Sequence, residues 1–211
     1  MQLTYLFDPL CGWCYGAHPM IENIADTSAL TLVLAPVGLF AGAQARPMDA
    51  RFAAYAWQND QRIARLTGQH FSEAYRTNVL GATGTLFDSA PATLGLVAAA
   101  IEAPSQERAV LKAMQHARYV DGRQTSDIAV IAEVLTEADL PAAARQVERR
   151  DARLMDAYRN RVGAARADMA RFGAQGVPAL IAGEGADRRL VPSDILFDRG
   201  RDQQAILAAV A

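Results

Sequence analysis

Asp8-Pro9-Leu10-Cys11-Gly12-Trp13-Cys14-Tyr15-Gly16 is the stretch of this 211-residue chain that decides the prediction of its fold. It contains the only two cysteines of the chain, Cys11 and Cys14, separated by two residues. Residues 2–7 upstream are apolar and aromatic, which predicts a short buried strand. Residues 15–26 downstream have helical apolar spacing. The cysteine pair is therefore predicted to lie where a strand turns into a helix, with Cys11 at the helix start.

Three interpretations of the cysteine pair compete. A zinc site needs two further ligands, and His18, His70 and His116 form no second pair. A structural disulfide across so short a loop would restrict the unfolded chain very little. A redox dithiol fits better, because the free N–H groups at a helix start favour a thiolate at Cys11. One helical turn of separation also lets Cys14 close a disulfide with it.

A second motif near the end of the chain supports the redox interpretation. Gly176-Val177-Pro178 precedes an apolar run predicted to be a strand, and Pro19 follows the second cysteine by five residues. Together with the motif around Cys11, this pattern resembles the thioredoxin fold and, more narrowly, the DsbA family. It looks most like the cytosolic group that includes the FrnE-like predicted protein-disulfide isomerases. The resemblance implies a cis peptide bond before Pro178, which faces the dithiol, and substrate contacts from Val177 and Pro178.

The predicted fold class is α/β, a thioredoxin fold with a helical domain inserted, as the resemblance to DsbA implies. Residues 1–42 are assigned to the N-terminal part of the thioredoxin fold, 43–170 to the inserted helical domain and 171–211 to the C-terminal part. Predicted strands follow at residues 30–37, 178–182 and 189–191. Helical spacing and breakers predict helices at residues 50–66, 71–79, 91–103, 105–120, 126–137, 141–172 and 202–210.

Several residues near the motif are candidates for handling protons or contacting substrate. The resemblance implies a buried acid six residues before the first cysteine, but Tyr5 occupies that position and a phenol is a poor base. Asp8 can replace it or can simply form the turn before Pro9. His18, one turn after the second cysteine, is either a contact of the dithiol or a structural histidine. Trp13 either contacts substrate or packs on the surface.

Ser193-Asp194 follows the last predicted strand and has two interpretations. In glutaredoxins and kappa-class glutathione transferases, a Ser/Thr-Asp pair at this point of the fold holds the γ-glutamyl end of glutathione. A helix start suits a carboxylate and an aspartate suits an ammonium group, so a glutathione contact is chemically sensible. The alternative is an ordinary serine N-cap. Kappa-class enzymes normally carry a serine where this chain has Cys11, which argues against transferase or isomerase chemistry on small molecules.

Composition excludes several other classes of protein. Hydrophobic residues make up 51% and charged residues 21% of the chain, which is ordinary for a folded domain. A formal net charge of −2 gives no basic field for nucleic acid or anionic lipid. No stretch predicts a membrane span and residues 1–10 lack the features of a secretory signal, so a cytoplasmic location is expected.

The leading functional prediction is thiol–disulfide exchange through Cys11 and Cys14, as a reductase or isomerase acting on proteins or peptides. No cofactor or metal is expected beyond the dithiol, with glutathione as a candidate co-substrate. Two alternatives stay open: a glutathione-dependent enzyme acting on a small molecule, and a non-catalytic peptide-binding or chaperone module. No basic side chain lies between Asp8 and Ala17 to stabilise a thiolate, which predicts a reduction potential of about −180 to −270 mV.

Overall fold

The computed structural model describes residues 1–198 and 203–210. The strands of the described residues are β1 (Gln2–Phe7), β2 (Thr31–Pro36), β3 (Arg46–Pro47), β4 (Leu86–Phe87), β5 (Ala179–Ala182) and β6 (Arg189–Val191). Their helices are α1 (Gly12–Ala25), α2 (Ala50–Thr67), α3 (Glu73–Tyr75), α4 (Ala90–Glu102), α5 (Glu107–Tyr119), α6 (Ile128–Glu137), α7 (Pro141–Arg149), α8 (Ala152–Arg171) and α9 (Gln203–Val210). A π-helical turn, Arg76–Leu80, continues α3.

A mixed four-stranded sheet with the order β2-β1-β5-β6 forms the centre of the molecule. Strands β1 and β2 are parallel, as expected for a crossover through a helix, whereas β5 is antiparallel to β1 and to β6. Residues 3–7 of β1 are all buried because α1 and the inserted helices cover one face of the sheet and α8 covers the other. The chain therefore has the α/β architecture that the sequence predicts, with the end of a buried central strand leading into Cys11.

Helix α1 begins where the sequence predicts. Cys11 is its N-cap in extended conformation, with φ −81° and ψ 118°, and Pro19 lies inside the helix. Gly16 allows α2 to pack closely on α1, because a Cβ there would lie 2.5 Å from Cγ2 of Ile63. A larger side chain at this position would push the two helices apart. The inserted helices therefore touch the active-site helix directly.

One predicted helix is wrong as a continuous element. The pattern over residues 141–172 predicts a single helix, but the structure has α7 and α8 with a break at Arg150, which adopts φ +50°. Asp151 then caps α8, since its side chain accepts a hydrogen bond from the amide of Leu154. Arginine carries no strong signal for the left-handed conformation, so the sequence pattern continued across the break.

The remaining helices lie close to their predicted positions, and one short ladder is additional. The short ladder between β3 and β4 was not predicted, because two residues per strand are too few to show a period of two. The last predicted helix, residues 202–210, is present as α9, while Asp202 lies outside the described residues. The boundaries of the inserted domain, 43 and 170, stay a prediction. No helix in the described part of the chain is long and apolar enough to cross a membrane.

Candidate active site

Cys11 lies at the N-terminal start of α1, with its thiol directed toward the segment that precedes β5. The residue is 7% exposed, and its amide donates a hydrogen bond of 3.1 Å to the carbonyl of Asp8. Its Sγ lies 3.7 Å from the carbonyl oxygen of Val177, to which the thiol can donate. The Val177–Pro178 peptide bond is cis. The structure thus brings together the two motifs that the sequence places more than 160 residues apart.

Cys14 lies one turn deeper in the same helix. It is 1% exposed, and both cysteines are free thiols in this structure. Burial and the neighbouring Cys11 raise the pKa of the Cys14 thiol well above its usual value. The two cysteines therefore differ in access: Cys11 keeps a small exposed surface, whereas Cys14 is enclosed and its thiol stays protonated until a base takes its proton.

A groove of about 570 Å³ opens beside Val177, whose carbonyl oxygen lies 3.7 Å from the Cys11 thiol. Trp13 is partly exposed at one side, and its ring packs edge-on against Phe197 with the centroids 5.3 Å apart. The lining residues come from α1, from β5 and the segment before it, and from β6 and the turn that follows it: Trp13, Ala174, Gln175, Gly176, Val177, Pro178, Ala179, Leu190, Val191, Pro192, Ser193 and Phe197. This predominantly apolar floor suits an extended peptide laid beside Val177.

Two residues of the groove region escaped the sequence analysis. Phe197 contacts Trp13 from the C-terminal part of the fold. Arg62, carried by α2, places its guanidinium 5.8 Å from the centre of the Trp13 ring, within range of a cation–π contact. Neither residue belongs to a local motif, and both reach the site only through tertiary packing. No local sequence pattern therefore marks either residue as part of the site.

Asp8 directly follows β1 and begins the turn that leads to Cys11. Its side chain is fully buried and accepts hydrogen bonds from the amide of Leu10 (2.9 Å), the amide of Phe40 (3.3 Å) and the hydroxyl of Ser89 (2.7 Å). Burial raises the pKa of the Asp8 carboxyl against the opposing effect of these donors. The backbone and the charge of Asp8 both act on the thiol of Cys14. Asp8 therefore forms the turn and also lies next to the resolving thiol.

Tyr5 cannot supply the missing base. Its ring is buried in the core, and its hydroxyl donates a hydrogen bond of 3.3 Å to the backbone carbonyl of Cys14. Burial raises the pKa of this phenol well above its usual value, so it stays neutral at any pH at which the protein works. The tyrosine positions the active-site helix without accepting a proton from it.

His18 is turned toward the inserted helix α5. The residue is 6% exposed, and its Nε2 lies 3.7 Å from Oε1 of Glu22, which is too far for a hydrogen bond. Burial, with the charges of Lys112 and Arg108, lowers the pKa of His18 to about 4. The histidine is therefore neutral near pH 7, and none of the hydrogen bonds among the described residues joins it to the dithiol.

We expect His18→Gln to make folding stability less sensitive to acid. An imidazole with a native pKa of about 4 binds fewer protons when folded than when unfolded, so it costs stability as the pH falls from 6.5 to 4. The shift corresponds to at most about 3 kcal/mol. Urea unfolding of both proteins at pH 7 and pH 4.5 measures the difference. An unchanged loss of stability in the variant would assign acid sensitivity to other groups.

Ser193 and Asp194 open a five-residue 3-10 turn, Ser193–Phe197, after β6. The N-cap of this turn is Pro192, and Ser193 makes no capping hydrogen bond, so the interpretation as a serine N-cap is wrong. Ser193 instead lines the groove together with Val177 and Pro178. Asp194 is exposed next to it. The described residues include no group of three or more metal-ligating side chains.

The sheet order, the dithiol at the start of α1 and the facing cis-proline together define a thioredoxin-fold protein with an inserted helical region. The chain belongs to the DSBA-like thioredoxin domain family, whose model matches residues 2–198. This oxidoreductase family is the one that the two sequence motifs indicate. No curated protein matches the chain.

Solved structures of similar proteins agree with this assignment. The cytosolic disulfide reductase DsbM from Pseudomonas aeruginosa is 30% identical, with a TM-score of 0.86, over 99% of this chain and 97% of that one. A second DsbM structure, with GSH, has a TM-score of 0.85 at the same identity, over 99% and 98% of the two chains. A provisionally assigned protein disulfide isomerase from Nitrosomonas europaea is 26% identical, with a TM-score of 0.78, over 99% and 94%.

Proposed function

We propose that this protein is a thiol–disulfide oxidoreductase that reduces or isomerises disulfides through Cys11 and Cys14. The position of Cys11 carries the proposal. Its thiol stands at the start of a 14-residue helix, beside the carbonyl of Val177 and at the edge of the apolar groove. A nucleophilic thiol at that point can attack a disulfide in a peptide that lies along Val177. Cys14, one helical turn further along α1, can then resolve the mixed disulfide.

The proposed reaction runs in two exchanges. The Cys11 thiolate attacks a substrate disulfide, so a bond forms between Cys11 Sγ and one substrate sulfur while the other leaves as a thiolate. Cys14 then gives its proton to Asp8 and attacks Cys11 Sγ, which releases the second substrate thiolate and leaves the Cys11–Cys14 disulfide. The charge of Asp8 acts on the Cys14 thiol, which supports this assignment of the base. An external thiol restores the dithiol, and no cofactor takes part.

The proposed substrates are disulfides of proteins or peptides, with glutathione as the external thiol. A DsbM structure with GSH supports glutathione as a partner, and the similarity to DsbM, a cytosolic disulfide reductase, supports a cytoplasmic location. Ser193 lines the groove beside Val177 and Pro178, which supports the proposed glutathione contact. The test is reduction of insulin disulfides by glutathione, compared with a Cys11→Ala/Cys14→Ala double variant. Peptide binding that persists in that variant, without turnover by the wild type, would favour a non-catalytic module.

A glutathione-dependent enzyme acting on a small molecule is the second candidate. The observation that favours it is Ser193 in the wall of the groove, and the observation against it is a cysteine at the reactive position. We expect Ser193→Ala to weaken glutathione binding by a few-fold, since one hydrogen bond is removed, while insulin reduction driven by dithiothreitol stays unchanged. Calorimetric titration with glutathione and the insulin assay separate the two effects. Loss of both glutathione binding and insulin reduction would mean that Ser193 maintains the structure of the groove and is not a specific glutathione contact.

The reduction potential of the cysteine pair is expected to lie at about −180 to −270 mV. The start of helix α1 favours an anion, whereas the buried acids Asp8 and Asp60 oppose one when they are charged. The cations Arg62 and Arg118 lie over the rings of Trp13 and Tyr75. Equilibration with glutathione redox buffers, followed by trapping of the thiols, gives the value. In that range the protein rests reduced and works as a reductase or isomerase. A value above about −150 mV would make it an oxidant.

A further inference from the structure

Asp60 is an acidic side chain enclosed between α2 and the first turn of α1. The residue is 4% exposed, although it belongs to a helix whose other face meets solvent. A Cβ placed on Gly12 would lie 2.4 Å from Oδ1 of Asp60. The carboxylate thus occupies the space that any larger residue after Cys11 would fill. It lies beside the segment between the two cysteines and is supplied by the inserted helices, not by the thioredoxin fold.

Buried groups from two further inserted helices surround this carboxylate. The hydroxyl of Tyr75 donates a hydrogen bond of 3.0 Å to Oδ2 of Asp60. Arg118 is 1% exposed and holds its guanidinium over the rings of Tyr75 and Tyr119 at 5.6 and 5.8 Å. The hydroxyl of Tyr119 donates a hydrogen bond of 2.8 Å to the carbonyl of Leu10. One buried polar network therefore joins the acid to the turn that carries Cys11.

We propose that Asp60 is a positioning residue of the redox centre: its negative charge, held against Gly12, opposes the negative charge of the Cys11 thiolate. The physical reason is the repulsion of two like charges, because Asp60 lies against Gly12, the neighbour of Cys11 in the chain, in a site from which water is largely excluded. When Asp60 is protonated this opposition disappears, and the reactivity of Cys11 depends on the helix start alone. The inserted domain would in this way set how the dithiol responds to pH.

Asp60 changes its charge near neutral pH. Burial raises its pKa to about 7, against the lowering effects of the Tyr75 hydrogen bond and the Arg118 charge. Burial also raises the pKa of Tyr75 and of Tyr119, so both phenols stay neutral. The groups that act on Asp60 are Tyr75 and Arg118, and the charge of Asp60 in turn acts on Tyr75 and Tyr119. Helix α1, which packs on α2, also carries Cys14, Tyr15, His18 and Glu22, and the π-helical turn carries Arg76. Asp8 acts on Cys14.

The test measures alkylation of Cys11 by iodoacetamide in the reduced protein between pH 5.5 and pH 8, with the modified cysteine identified by mass spectrometry. The proposal rests on Cys11 being the reactive thiol, as in the proposed function. We expect Asp60→Asn and wild type to react equally at pH 5.5, and the variant to react about five-fold faster at pH 8. Tyr75→Phe removes the hydrogen-bond donor that favours the Asp60 anion, so Asp60 should stay protonated to a higher pH than in wild type. The alkylation rate of Tyr75→Phe should therefore equal that of Asp60→Asn up to that pH and approach that of wild type above it.

Glu73→Gln is the matched control. It removes one negative charge from the exposed surface of α3, where Glu73 pairs with Arg76, and should react like wild type at every pH. A constant ratio between Asp60→Asn and wild type across the pH range would overturn the proposal, because a purely structural change has no reason to follow this titration. An unreactive Cys11 in wild type would instead contradict the proposed function. If Asp60→Asn does not fold, the proposal is tested by whether Tyr75→Phe moves the pH dependence of Cys11 alkylation to higher pH.

Discussion

Replacement of Cys11 by alanine is expected to abolish disulfide reduction, with a loss of at least about a thousand-fold in the rate of insulin reduction. The reason is that no other described thiol can replace it: Cys14 is 1% exposed and burial keeps its thiol protonated. Cys11 alone stands at the helix start beside the groove. The measurement is insulin turbidity with glutathione or dithiothreitol as reductant, at protein concentrations that give a linear response in the wild type.

Cys14→Ala gives the complementary result. The first exchange still proceeds on Cys11, but the resolving sulfur is gone, so mixed disulfides between Cys11 and substrate should accumulate and be visible on non-reducing gels. Both variants should keep the wild-type fold, since each side chain loses only its small sulfur atom. Wild-type turnover in Cys11→Ala would refute the proposed mechanism, whatever Cys14→Ala shows.

The fold and the position of the dithiol were predictable because their signals are local. A buried strand, a Cys-x-x-Cys pair and a following helix lie within residues 2–25, and each is encoded by its own short pattern. The motif around Pro178 added the strand that faces the dithiol. The break at Arg150 was missed for the opposite reason, because no residue there signals a helix end. Local helix-breaking residues decide which helices can be delimited from sequence.

The electrostatic surroundings of the dithiol could not be predicted in the same way. Ser89 reaches Asp8 across 81 positions of sequence, and Asp60 reaches Gly12 from another helix of the insertion. In the sequence, each of these is an ordinary polar residue at the edge of an apolar helical pattern. Burial gives them their unusual properties, and burial of one particular polar residue follows from tertiary packing that periodicity does not specify. The sequence could name Asp8 as a candidate base but could not show what holds it.

Asp8→Asn is expected to slow the second exchange by about a hundred-fold while leaving the first nearly unchanged. An amide cannot accept the proton that Cys14 must lose before it attacks Cys11, and the buried thiol holds that proton tightly. Stopped-flow measurement of the release of a chromogenic thiol from a preformed Cys11 mixed disulfide reports this step alone. Ser89→Ala is the control, since it removes one hydrogen bond to Asp8 but keeps the acid; release should stay within a few-fold of the wild type.

The same carboxylate also holds the active-site turn, so a third variant separates its two roles. Asp8→Ala leaves the amides of Leu10 and Phe40 and the hydroxyl of Ser89 buried without their acceptor, which should reduce the free energy of unfolding by about 3–5 kcal/mol. Asp8→Asn keeps one acceptor oxygen and should lose less than half of that. A slow second exchange in Asp8→Asn, with a smaller loss of stability than in Asp8→Ala, is what a proton acceptor predicts. Release at the wild-type rate would mean that the Cys14 proton leaves by another route and that Asp8 only shapes the turn.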